Sequence, residues 1–150
     1  MAAKSPGMGG YVFPYGDTGS VACLNGSSFC AAGMAAATGY GAGVGVNLNQ
    51  LPGATGTPPT YPVPASKMGI AYALTAAPPA KTVLIIDNNG VAYQAPVTLA
   101  SANVPWASFA LQTPDAGPPT LTAAPVATHI QFQHTMGASF NFCITSLTFY

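Results

Sequence analysis

The sequence predicts an all-β fold, an antiparallel β-sandwich or jelly roll, from three observations. Gly (17 residues) and Pro (15) punctuate the chain throughout, while Glu and Arg are absent and Leu is scarce. Several short segments alternate apolar and polar residues with a period of two, as half-buried strands do. Thr, Val, Ile, Phe and Tyr carry that pattern, and these are the residues that pack well on a pleated surface. A length of 150 residues suits one domain, which can bury roughly 68–70% of its unfolded surface in a single core.

Taken in order, residues 1–22 combine Gly, Pro, Tyr11, Phe13 and Tyr15, and read as an irregular N-terminal arm. The single sandwich domain is then expected over 23–150. Cys23 and Cys30 bracket a short polar loop, LNGSSF. The small-residue stretch 31–43 holds too many glycines for a stable helix. GVGVNLNQ (43–50) places Val44, Val46 and Leu48 on one face and Asn47 and Asn49 on the other, a half-buried strand. LPGATGTPPTYPVPASK (51–67) is proline-rich surface loop. MGIAYALT (68–75) alternates through Ile70, Tyr72 and Leu74, and TVLIID (82–87) reads as a central strand.

Asn89-Gly90 between TVLIID and VAYQA is a strong hairpin signal, because a type I′ turn needs positive φ at both central residues. Pro96 marks an edge or a bulge in the next strand. After VPWASF comes a second proline-rich loop, 112–125. THIQFQH (128–134) sets Ile130 and Phe132 against His129, Gln131 and Gln133. In SFNFCITSLTFY (139–150), Phe140, Phe142 and Ile144 share one parity while Cys143, Leu147 and Phe149 share the other. Either both faces are covered or a bulge near Thr145 switches the parity.

Charge excludes several functions. Only 4% of residues are charged, against roughly 25% in an average domain, and the net charge is zero. With three Lys and no Arg, no basic patch forms, so neither nucleic acid nor an anionic membrane surface is an expected partner. No apolar run of about 18 residues exists to span a bilayer. MAAKSPGMGG lacks the apolar core of a secretory signal, which suits either a cytosolic chain or a mature segment carrying a starting Met.

Catalytic constellations are equally sparse. Carboxylate-pair hydrolysis needs two acids at a set separation, and only Asp17, Asp87 and Asp115 exist. No GxSxG elbow is present, and His129 and His134 read as polar members of a half-exposed strand. The chain is therefore expected not to be an enzyme. Thiol zinc ligation lacks the spacing it requires, and no cofactor is expected. Asp87 or Asp17 with backbone carbonyls could contribute to a structural calcium site. GYGAGVGV lacks the GxGxxG spacing of a nucleotide loop. A Cys23–Cys30 disulfide is expected, worth roughly 2.5 kcal/mol on the chain-entropy account, with Cys143 a buried thiol. Asn25-Gly26-Ser27 is a glycosylation sequon. Tyr11, Tyr15, Tyr40, Tyr61, Tyr93 and Trp106 offer flat apolar faces with polar tips, suited to stacking on sugar rings, although a lone Trp also suits the core.

GAGVGVNLNQ, GIAYALT, VLIIDNNGVAYQAPVT, VPWASF, ATHIQFQ and FNFCITSLTF, in this order, resemble the jelly-roll, carbohydrate-binding-module-like domains of secreted bacterial proteins, often found beside glycoside hydrolases. The resemblance covers about residues 20–150 and implies an extracellular protein that binds a polysaccharide or glycan without catalysis. Relatives pair a cysteine at the position of Gln94 with one near Thr113. Tyr40 stands for a Trp, and Asn141 for an Asp. A second expectation follows from the scarcity of charge: copies of the chain assemble as subunits of an extracellular fibre, coat or lattice, because a dispersed monomer normally carries a mixed charged surface.

Overall fold

The structure, a computed structural model, describes residues 12–17, 21–24, 30–39, 41–50, 54–112, 117–134, 137 and 139–150. Its strands are β1 (Val12–Gly16), β2 (Val21–Leu24), β3 (Cys30–Met34), β4 (Ala42–Asn47), β5 (Tyr61–Pro62), β6 (Gly69–Leu74) and β7 (Thr82–Asn88). They continue with β8 (Val91–Pro96), β9 (Ser101–Pro105), β10 (Ala110–Leu111), β11 (Val126–Ala127), β12 (His129–His134) and β13 (Ser139–Phe149). One sheet runs β1-β4-β12-β7-β8-β10 and a second runs β2-β3-β13-β6-β9, with a small β11-β5 ladder beside them. The fold is an all-β antiparallel sandwich, as the sequence predicts.

The core lies between the sheets. Val44, Val46, Leu84, Ile86, Tyr93, Ile130 and Phe132 come from the first sheet, and Ile70, Tyr72, Phe140, Phe142, Ile144, Leu147 and Phe149 from the second. Phe132 bridges the two layers, edge-on to Tyr72 at 5.6 Å and to Phe142 at 6.0 Å. Truncating such a buried ring to Ala typically costs about 3–5 kcal/mol.

Two local features follow directly from the sequence. Asn89 and Gly90 both take positive φ, 51° and 85°, and close the β7–β8 hairpin with Asn88 opposite Val91. The parity problem of the last strand is solved by a bulge between Ile144 and Ser146. Thr145 is the extra residue, and it lets Phe140, Phe142, Ile144, Leu147 and Phe149 all enter one core.

Three expectations are corrected. Residues 12–16 are not irregular arm but strand β1, paired with β4 from Val12↔Val46 to Gly16↔Ala42. Pro14 is tolerated because β1 lies at the sheet edge. The disulfide joins Cys30 to Cys143, not to Cys23. Register explains this: Cys30 stands opposite Cys143 across β3 and β13, whereas Cys23 stands opposite Ala32. Cys143 is therefore no buried free thiol. Finally, His134 is fully buried rather than half-exposed, since it shares the inward parity of Ile130 and Phe132.

Candidate functional site

Every core residue of the six-stranded sheet has neighbours in sequence that face outward, and the register aligns these into rows. Phe13, Gly45, Gln131, Ile85, Gln94 and Ala110 form one row across six strands. Tyr15, Gly43, Gln133, Val83 and Pro96 form the next. Gly45 is what allows Phe13 to lie close, because a Cβ there would run into the Phe13 ring.

The outer face is hollowed into an open depression of about 310 Å³ lined by Tyr15, Ile85, Ala92, Gln112, His129, Gln131 and Gln133. It continues, through the shared His129 and Gln131, into a second of about 390 Å³ that adds Phe13, Asn47, Gln50 and the loop residues Ala54, Gly56 and Pro58. None of these lining residues is Lys, Arg, Asp or Glu. The result is a groove of amides and rings.

The NLNQ segment builds its far wall. Asn47 Nδ2 donates to Gln50 Oε1 at 2.7 Å, and Gln50 Nε2 donates to the carbonyls of Ala54 (3.4 Å) and Gly56 (3.2 Å). Asn49 Nδ2 donates to the Thr60 carbonyl at 3.0 Å. These bonds tie a proline-rich loop to the end of β4. At the opposite side, Gln112 Nε2 reaches Gln94 Oε1 at 3.4 Å, so an amide pair links β8 to the residue that follows β10.

Asp87 shares the outward parity of Ile85 on β7 and stands opposite Ala92, yet is only 3% exposed. Its Oδ1 accepts from Thr128 N (2.7 Å), Thr128 Oγ1 (2.9 Å) and His129 N (3.1 Å), and its Oδ2 faces Gly90 N at 3.4 Å. The carboxylate thus pins the corner before β12 to the β7–β8 hairpin, and Asn88 adds to this by accepting from Val126 N. Four donors converge on Asp87. Three of them meet Oδ1, and Oδ2 has only the 3.4 Å contact with Gly90 N. Asp17 Oδ2 accepts from Gly41 N at 2.9 Å, which ties the residue after β1 to the residue before β4 and again directs a donor at the carboxylate. Among the described residues no group of three or more His, Cys, Asp or Glu could hold a metal.

The two histidines differ in surroundings. Burial lowers the pKa of His129, against the opposing pull of Asp87, whose Oδ1 is 3.8 Å from Nδ1. Burial alone lowers His134 to about 4. Its ring stacks on Phe140 at 4.1 Å, deep in the core.

Of the stacking residues expected from sequence, Tyr15 lines this groove, whereas Tyr61, Tyr93 and Trp106 do not. Tyr93 (2% exposed) and Trp106 (5%) are core side chains. Tyr93 shares the inward parity of Val91 and Ala95, and Trp106 donates from Nε1 to the Lys67 carbonyl while packing on Phe109 and Phe149. Their faces are covered by protein, so neither can stack on a ligand in this fold. Tyr61 is half-buried and stacks on Phe149 at 6.0 Å, away from the groove. Tyr11, Tyr40, Asp115, Thr113 and the Asn25 sequon lie outside the described residues. The groove residues that the sequence did not mark as a site are Phe13, Gln112, His129, Gln131 and Gln133. Their signal was present in the period-two spacing of VFPYG, GVGVN and HIQFQ.

Among the described residues no helix is long and apolar enough to cross a membrane. A scan of protein-family models, a search of curated proteins and a search of solved structures each return no match to this chain.

Proposed function

We propose that this chain is a non-catalytic, extracellular carbohydrate-binding module that takes a neutral glycan in the groove on the outer face of its six-stranded sheet. The observation that carries the reading is the groove's chemistry: amides and aromatic rings with no charged side chain among its lining residues. A sugar presents apolar C–H faces and a rim of hydroxyls. Phe13 and Tyr15 suit the first. The amides of Asn47, Gln50, Gln112, Gln131 and Gln133 both donate and accept, which suits the second. A charged polymer would find no counter-charge there. Disulfides persist mainly in oxidising compartments, so the Cys30–Cys143 bond supports the extracellular assignment.

Retention on insoluble cellulose and amylose, and retardation in gels containing mixed-linkage β-glucan or xylan, test the proposal. Wild-type protein should be held by at least one of these and released by Phe13→Ala and Gln131→Ala. No retention on any of them at high protein concentration would reject it.

A second reading, self-assembly of copies, is favoured by the edge strand β9. Leu74 N donates to Ala100 O and Trp106 N to Met68 O, so the even-numbered residues turn toward β6. Ser101 and Asn103 therefore direct their backbone groups away from the sheet. No charge blunts this edge, as charges commonly do, and Leu99 beside it is 61% exposed. Sedimentation velocity distinguishes the readings, and a strict monomer at high concentration removes this one.

A further inference from the structure

We infer that His129 enters the groove as a hydrogen-bond acceptor, its proton held on Nδ1 by an Asp87–Thr128–His129 chain, so that the site selects a ligand hydroxyl donor and loosens its hold when the imidazole is protonated. This rests on the proposed glycan site and names the atom within it that sets direction.

The number of hydrogens available fixes the tautomer. Thr128 Oγ1 lies 2.9 Å from Asp87 Oδ1 and 2.8 Å from His129 Nδ1. A carboxylate oxygen only accepts, and a threonine hydroxyl has one hydrogen to give. That hydrogen goes to Asp87. The contact between Oγ1 and Nδ1 is then a hydrogen bond only if Nδ1 carries the proton. An unprotonated Nδ1 would instead set its lone pair against Oγ1, with Asp87 3.8 Å away.

The tautomer fixes what the groove meets. The Nδ1 edge of the ring is turned to Thr128 and Asp87, leaving Nε2 on the far edge with its lone pair. His129 lines both halves of the groove beside Gln131, and its side chain is 28% exposed. The Gln131 amide beside it can serve as donor or acceptor by rotating. His129 has no such choice while the chain behind it is intact. Thr128 and Asp87 are thus positioning residues for a directional acceptor.

Protonation adds a hydrogen at Nε2 and converts the acceptor into a donor. The titratable groups facing His129 are Asp87 on β7 and Tyr15 on β1, whereas β4, β8 and the loop wall present Asn47, Ala92, Ala54, Gly56 and Pro58. Burial lowers the His129 pKa, which keeps the neutral form at neutral pH. His134 shows the same logic in a closed setting: Thr82 Oγ1 donates to the Pro79 carbonyl at 2.7 Å and lies 2.8 Å from His134 Nδ1. Only His129 opens into the groove.

Long-range ¹H–¹⁵N correlation of the imidazole rings in the ¹⁵N-labelled full chain reads the tautomer without any ligand. At pH 7.5 His129 should show a protonated Nδ1 and a bare Nε2. Thr128→Val should shift it toward Nε2–H, and Thr128→Ser should restore it, with backbone spectra confirming that each variant stays folded. A predominantly Nε2–H ring in the wild type, or no change in Thr128→Val, overturns the inference. The second arm measures affinity for mixed-linkage β-glucan, cellulose and amylose across the His129 titration. Roughly three- to tenfold weakening is expected on protonation, the loss of about one hydrogen bond. Glycan affinity unaffected by that titration overturns the directional role. Absence of glycan retention with the stated tautomer present rejects the glycan reading and the hydroxyl selection together, while the Asp87–Thr128–His129 chain stands.

Discussion

Cys30 on β3 and Cys143 on β13 stand opposite one another and are bonded across a sequence separation of 113 residues. Closing so long a loop removes much of the unfolded chain's freedom, on the order of 4 to 5 kcal/mol in the entropic account. Reduction, or Cys143→Ala, should therefore lower stability by an amount of that order in urea denaturation. Cys23→Ala should leave the bridge intact in a non-reducing peptide map. A map that pairs Cys23 with Cys30 in the wild type would refute this connectivity.

Phe13 and Gly45 make a second long-range pair, in which the ring occupies the space a Cβ would need. Gly45→Ala should destabilise the protein by about 1–2 kcal/mol through overpacking. The same change made in a Phe13→Ala background should cost much less, because the obstructing ring is gone. A thermal or urea double-mutant cycle measures this coupling. Additive effects would mean that Phe13 does not rest on Gly45 in solution.

Asp87 is a further place where position and chemistry diverge from what residue type suggests. Removing its carboxylate in Asp87→Ala strands the backbone donors of Thr128 and His129 at a buried corner. The expected loss is about 3 kcal/mol, with Asp87→Asn costing less because one amide oxygen can still accept. Urea midpoints should show the order wild type, Asn, Ala. An Asp87→Ala variant as stable as the wild type would remove Asp87 from its structural role.

These cases show which parts of the molecule were legible in the residues. The β7–β8 hairpin was, because its turn chemistry is local: only Asn89 and Gly90 need positive φ. The break between Ile144 and Leu147 was visible as a change of parity, and the bulge at Thr145 resolves it. Strand β1 was hidden, since Pro14 and Gly16 resemble loop and its partner β4 is distant in sequence. Disulfide connectivity cannot be read from spacing, and here it depends on the β3–β13 register. The groove was hidden for a related reason. Its side chains arrive from β1, β4, β12, β7, β8 and residue 112, and their convergence is a property of register. The large aromatics that stood out by type, Tyr93 and Trp106, were claimed by the core.

His134 makes the protein acid-sensitive by a route that the composition isolates. An unfolded histidine titrates near 6.5, whereas in the fold His134 is lowered to about 4 by burial. Between those values the unfolded chain binds the additional proton. Stability is therefore complete above about pH 6.5 and falls as the pH drops toward 4, by roughly 3 kcal/mol in all. His129, also lowered, adds in the same direction. In most proteins carboxylate titration would obscure this window, but the chain has three Asp and no Glu. His134→Phe keeps a ring to stack on Phe140 and has no proton to gain. Urea midpoints between pH 7 and 4.5 should decline steeply for the wild type and only through His129 for the variant. Equal slopes for both would place the acid sensitivity elsewhere.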